Sequence, residues 1–371
     1  MKKLVVSVFA IALLVVACSK DDNSDGGGNS DSFDRKAMLQ NMADNIILPS
    51  YQNFKTALGS FQEATTTFTT TATRENLVAL RSKWVDAYKA WQHVSMFEIG
   101  KAEELRYKEF MNIYPTNTTN IKSNISGTYD LTSISLQDEQ GFPALDYLIN
   151  GLGESDADIL VFYTTDGEAA NYKKYMTDLV ARMTTLTDEV VGSWTNGYRD
   201  TFVNSSGSSA TSSLDKMAND YVYHYEKNLR AGKVGIPAGV WTGTASDNSV
   251  EALYKGDLSK VLLLENLTAM QNLFNGVHFG KTTTGESFKT YLDFLNTLKN
   301  EQDLSKLINN QFDASRTAID KLGDDFSAQV RNNNESMLET YSVLQKNVPL
   351  LKVDMFSAMS IRVDYVDADG D

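Results

Sequence analysis

The sequence predicts an all-α protein of two helical-bundle halves joined by a polar linker. Apolar and aromatic residues recur at three- and four-residue steps over most of the chain, as in Leu77, Leu80, Trp84, Tyr88 and Trp91. That is the spacing of one helix face. Only five prolines occur in 371 residues, so long stretches run without a helix breaker. No two alternating apolar runs flank a turn signal, so no hairpin is expected.

Along the chain, Lys2 and Lys3 precede the apolar run Leu4 to Ala17 and then Cys18. A charged start and an apolar stretch of this length read as a secretory signal, too short for a membrane span. Val15-Val16-Ala17-Cys18 is similar to a bacterial lipoprotein processing site, which assigns residues 1–18 to the signal and Cys18 to lipidation. Residues 19–32 are polar and glycine-rich, a flexible tether. Lys20-Asp21-Asp22 is similar to an acidic signal that sends some lipoproteins to the outer cell surface.

The first helical half spans 33–200. Pro49 should start or kink a helix carrying Tyr51, Phe54, Leu58, Phe61 and Phe68, followed by the Leu77–Trp91 stripe. Thr116 to Gln140 reads as a long loop, then Gly141-Phe142-Pro143 opens a short helix, and Tyr172–Trp194 forms a long one. Thr195 to Ser213 is the expected linker. The second half, 211–371, holds periodic stretches at Leu214–Leu229, Leu258–Phe274, Phe288–Leu298, Leu304–Val330 and Met337–Val348. Gly232 to Asn248 reads as an ordered loop over a site.

The formal charge of −14 gives no electrostatic case for nucleic acid. Cys18 is the only cysteine, so neither a disulfide framework nor a catalytic thiolate remains. The three histidines, His93, His224 and His278, form no paired metal spacing. Gly276 to Thr282 imitates a phosphate loop but is one residue short between its glycines, and no GxSxG elbow occurs. The acidic stretch Asp364 to Asp371 reads as a solvated tail.

Three carboxylates fall on apolar faces. Asp146 shares a face with Phe142, Leu145 and Ile149; Glu98 continues the Trp84–Trp91 stripe; Glu265 fills the gap between Leu262 and Ala269. Clustered in one pocket, they would raise one another's pKa or bind a cation. Buried separately, each would pair with Arg106, Arg230, a tyrosine hydroxyl or backbone N–H groups. His224 lies on the Leu214–Met217–Tyr221 face and reads as a satisfied interior histidine or an inward-facing site residue.

Taken together, these segments resemble the imelysin-like family, also classed as the M75 peptidases. Ile46 to Tyr51 looks like its opening helix. Trp91 through Glu98 to Gly100, then Arg106 and Asn112-Ile113-Tyr114-Pro115, is similar to its second characteristic stretch. Gly141-Phe142-Pro143-Ala144-Leu145-Asp146 occupies the place of its GxHxxE signature. His224-Tyr225-Glu226, Lys233 to Gly239 and Leu350 to Asp354 look like its second half. The resemblance implies two four-helix-bundle-like halves with the signature near their junction, in exported proteins associated with iron or haem acquisition.

Pro143 stands where the signature has histidine and Asp146 where it has glutamate. Carried over residue by residue, only Asp146 remains as a metal candidate, with Glu98 as a neighbour. The expectation is therefore an outer-membrane, surface-exposed lipoprotein held in the membrane through lipid on Cys18. It would bind a ligand linked to iron or haem uptake without catalysis, alongside an outer-membrane transporter. The alternatives are an M75-type metallopeptidase, a glycan- or nutrient-capturing surface lipoprotein, and a structural protein whose site has decayed.

Overall fold

Helix pairs dominate the computed structural model, which describes residues 32–365. The signal, Cys18, the tether up to residue 31 and the last acidic residues, 366–371, lie outside the described part. The described residues from Phe33 onward form one compact unit.

Leu48–Thr70 and Arg74–Trp91 make an αα-hairpin that also packs on the long helix Ala169–Ser193. Pro49 follows directly on the π turn Met42–Ile47, and in this turn the Asn45 carbonyl accepts from Phe279 N at 2.8 Å instead of from a helical N–H. Thr73 caps the second helix by accepting from Asn76 N at 3.3 Å. Tyr51, Phe54, Leu58, Phe61 and Phe68 are buried, as are Leu77, Leu80, Trp84, Tyr88 and Trp91.

In the second half, Ser213–Tyr223 continues into the wide turns of a π-helix at His224–Gly235. This segment packs with Ser259–Asn275 and Phe326–Gln345, and Leu304–Asp320 bridges the last two. Ser259–Asn275 also touches Arg74–Trp91, so the two halves share a junction. Further π turns occur at Met42–Ile47, Tyr147–Gly151, Trp194–Tyr198 and Leu350–Met355. Among the described residues no helix is long and apolar enough to cross a membrane.

Several boundaries differ from the expectation. The stretch 116–140 carries a helix, Thr118–Ser126, and a 3₁₀ segment, Ile134–Glu139. Ile121 and Ile125, four apart, bury one face, and Asn117 caps its start. The linker starts later than predicted, because Arg199–Asn204 is helical, buries Phe202 and Val203 and pairs Arg199 with Asp44. The loop expected from Gly232 begins after the helical turn Ile236–Ala238. Phe288–Phe294 ends early and leads into a two-residue hairpin pairing Leu298–Lys299 with Gln302–Asp303. Leu304–Val330 is two helices, the second capped by Asp325 accepting from Ala328 N.

The short helix Gly141–Asp146 is buried at every position. Gly141 has φ +75°, and a Cβ there would lie 2.2 Å from the Met111 carbonyl oxygen. Only glycine fits this entry. The ring of Phe142 stacks on Tyr88 at 4.3 Å, fixing the helix against the Trp84–Trp91 face.

Candidate functional site

Where the halves meet, the polar side chains next to the tryptophan stripe join residues of the second half. Gln92 Nε2 donates to Glu251 Oε1 at 3.1 Å and Asn112 Nδ2 donates to the same oxygen at 2.8 Å. Lys233 Nζ donates to Gln92 Oε1 at 2.9 Å and is paired with the other Glu251 oxygen. Tyr88 Oη completes the chain by donating to Asn112 Oδ1 at 2.6 Å. Gln92, Glu251 and Lys233 are buried, so this charge pair survives because its remaining hydrogen-bond capacity is largely met. Burial pulls the Lys233 ammonium below its ordinary pKa, against the pull of Glu251.

Beside this network lies a small cavity of about 30 Å³, lined by Trp91, Lys108, Tyr114, His224, Asn228 and network residues. His224 Nε2 lies 3.0 Å from Asn266 Oδ1, whose amide nitrogen donates to the Gln92 carbonyl. Asn266 Oδ1 can only accept, so the proton sits on Nε2 and Nδ1 keeps a lone pair. Burial lowers the His224 pKa to about 3, which leaves the ring neutral. Trp91 Nε1, His224 Nδ1 and Asn228 Oδ1 are buried without a hydrogen-bond partner. One donor and two acceptors around a space of this size match a single water-sized guest.

A second, wider feature lies nearby. Glu98, Glu103, Asp220 and Asp364 line a cleft of about 190 Å³ together with Lys216, Asn219 and Tyr223. Asp220 Oδ2 accepts from Glu98 N at 2.7 Å, and Glu98 Oε1 accepts only a long 3.5 Å bond from Lys108 N. Burial, opposed by Lys108 and reinforced by Asp220, pushes Glu98 up to about 8. Burial likewise pushes Asp220 up to about 7. Lys108 connects the two features: it lines the small cavity, and its ammonium lies 5.2 Å from the Tyr223 ring centroid.

The predicted residues distribute as follows. Trp91 and His224 come together at the small cavity. Glu98 faces the cleft, but from the irregular segment after the turn 92–96, because the helix carrying the stripe ends at Trp91. Asp146 is buried and accepts from Asn150 Nδ2 at 2.9 Å, Tyr254 N at 2.9 Å and Lys255 N at 3.0 Å. Burial still raises it to about 7. Glu265 is partly exposed and pairs with Lys89 at 3.1 Å and His93 at 3.2 Å, which hold it below its ordinary pKa. The three carboxylates therefore keep separate partners and do not share a pocket.

Arg106 is exposed with a left-handed backbone, and Arg230 turns to Glu226 and Tyr341, so neither pairs with the three carboxylates. Pro143 and Gly141 shape the helix entry. Among the described residues no three His, Cys, Asp or Glu side chains are grouped to hold a metal ion.

Asn112 was visible only as part of a characteristic stretch, and Glu251, Gln92, Asn266, Lys108 and Asp220 were not legible as site residues. Asp220 alone left a usable sign, because it precedes His224 by four residues and so shares its helix face.

The imelysin (M75 peptidase) family model matches residues 47–348. Iron-regulated protein A of Synechococcus elongatus is 24% identical over 142 residues, 38% of this chain and 39% of that protein. The match thus spans about two fifths of that relative's length. An imelysin-like protein of Psychrobacter arcticum superposes with a TM-score of 0.68 at 15% identity, covering 90% of this chain and 97% of that one. A candidate iron-regulated protein A precursor of Parabacteroides distasonis gives 0.70 at 16% identity, over 89% and 97%. These structures share the fold, and with the family model covering most of its length, the chain belongs to the imelysin family.

Proposed function

We propose that this protein is an exported lipoprotein that binds a cation-bearing ligand in iron or haem uptake, without catalysing a reaction on it. The carrying observation is the Glu98–Asp220 cleft. Two neighbouring carboxyl groups, raised to about 8 and 7, each accept few hydrogen bonds and face solvent across about 190 Å³. An arriving cation would replace the protons they retain near neutral pH. Glu103 and Asp364 extend the negative rim.

The iron connection is supported by the family and by the names of its relatives. The cleft is smaller than the roughly 300–1,000 Å³ of drug-sized ligand sites, which favours an ion or a small cationic group over a macrocycle such as haem. A binding role is also supported by His224, which at a pKa of about 3 is a poor general base. Proline at 143 supplies no base at the signature.

The test is calorimetric titration of Phe33–Asp371 with ferric iron, divalent cations and haem at pH 7.5, with proton release recorded. Saturable binding of a cation with proton release is expected, weakened about tenfold or more in Glu98→Gln with Asp220→Asn. Absence of saturable binding, or equal affinity in the double variant, overturns the reading. Anchoring through Cys18 predicts lipid incorporation that Cys18→Ala abolishes, checked by labelled-palmitate uptake in the native host.

A further inference from the structure

On the far side of the helix Ala169–Ser193 from the hairpin core, the residues after Thr118–Ser126 enclose a groove of about 540 Å³. This volume lies within the range of small-molecule sites. Asn171, Lys174, Asp178 and Arg182, spaced by three, four and four, line it as one stripe of the helix. Three groove groups are already engaged with one another. Tyr129 Oη donates to Asp178 Oδ2 at 2.6 Å, and Lys174 Nζ donates to Asp178 Oδ2 at 2.5 Å and to Tyr129 Oη at 3.0 Å.

Arg182 is different. Its guanidinium packs 5.2 Å from the Phe110 ring centroid, and its Nε is buried without a hydrogen-bond partner. Among the described residues it forms no ion pair. Asp130, on the same groove, feels its charge but takes its hydrogen bonds from Thr132 N and Oγ1. With Nε occluded, the two terminal nitrogens are the edge of this permanently charged planar fork that can receive a carboxylate in bidentate geometry.

The other groups define the rest of the ligand. Tyr129 Oη and the Asn171 amide suit hydroxyl groups, and Ile125 and Leu131 offer apolar walls to C–H faces. Asp130 and Asp178 offset Lys174 and Arg182, so the groove has no surplus positive charge for a polyanion. We infer that the groove binds a monoanionic, hydroxyl-rich carboxylate of the sugar-acid class, with its carboxylate on Arg182. Such a ligand is either a free sugar acid or the acidic residue of a polysaccharide. This site is independent of the Glu98–Asp220 cleft.

The test titrates the full-length protein with D-glucuronate, oligogalacturonate, glucose, citrate and phosphate by calorimetry. Saturable binding of glucuronate or oligogalacturonate is expected, with glucose, citrate and phosphate much weaker. Arg182→Gln should weaken binding about tenfold or more. Arg182→Lys should fall similarly because the fork is lost, and exposed Asn171→Ala should lose a smaller factor. Thermal unfolding of each variant checks that the fold is intact. Tighter binding of the oligomer identifies the polysaccharide source, equal affinity per site the free acid, and both support the assignment. No saturable binding of either acid, undiminished binding in Arg182→Gln and Arg182→Lys, or equal binding of glucose, citrate or phosphate overturns it.

Discussion

Asp146 and the Glu98–Asp220 pair are all carboxyl groups lifted by burial to the neutral range, yet the protein treats them in opposite ways. Asp146 has three N–H donors on its two oxygens, two from the backbone of the 250s loop, and functions as a tie between that loop and the signature helix. Glu98 and Asp220 each receive one backbone donor, the former at 3.5 Å, and face an open cleft. Burial alone therefore does not mark a site. The number of donors already present separates a carboxylate that holds structure from one still available to a ligand.

The largest effect should come from Asp146→Ala, which leaves two partly buried backbone N–H groups and the Asn150 amide without their acceptor and empties a buried position. A loss of about 3 kcal/mol or more is expected in urea unfolding, with cation binding by the folded fraction unchanged. A loss under about 1 kcal/mol would remove the distinction between the two regions.

Gly141→Ala should come next. Its Cβ would meet the Met111 carbonyl at a φ of +75°, costing about 2 kcal/mol by the same measurement.

The smallest effect sharpens the contrast through pH. Glu98 and Asp220 have folded pKa values above their unfolded ones, so their stabilising contribution is complete below about pH 4. It declines as pH rises through 7 to 8, because ionisation then requires a charge in a partly desolvated cleft. Glu98→Gln should therefore gain about 1 kcal/mol relative to the unmodified protein on going from pH 5 to pH 9, read by thermal unfolding. An unchanged difference across that range would show that Glu98 is as well satisfied as its surroundings.

Much of the fold is written in periodicity. The Leu77–Trp91 and Tyr51–Phe68 faces are buried as their spacing requires, because each is a long helix with an uninterrupted apolar stripe. Extrapolating the first stripe to Glu98 fails for a local reason. The helix ends at Trp91 with neither glycine nor proline before Gly100, so no breaker announces the turn. The helix at Thr118–Ser126 was hidden by its Thr, Asn and Ser content, which favours loops until two isoleucines find a core.

The candidate site was less legible. Trp91 and His224 were visible on apolar faces, but Glu251 lies 159 positions from Gln92 and owes its role to that contact alone. A lone glutamate in a loop carries no local sign of burial. Asp146 was readable as inward-facing, and the donors that define its role come from residues more than a hundred positions away.

The π-helical segment His224–Gly235 has a further consequence for insertions and deletions. Each wide turn holds one residue more than an α-helical turn, which advances everything after it by about 100° around the axis. His224 points toward Asn266 at the start of this segment, and Lys233 reaches Glu251 near its end. The extra residue sets the phase between them. Deleting one residue between them would rotate Lys233 by about 100° away from its carboxylate, so a change that tightens this backbone toward an ordinary helix also dismantles the junction.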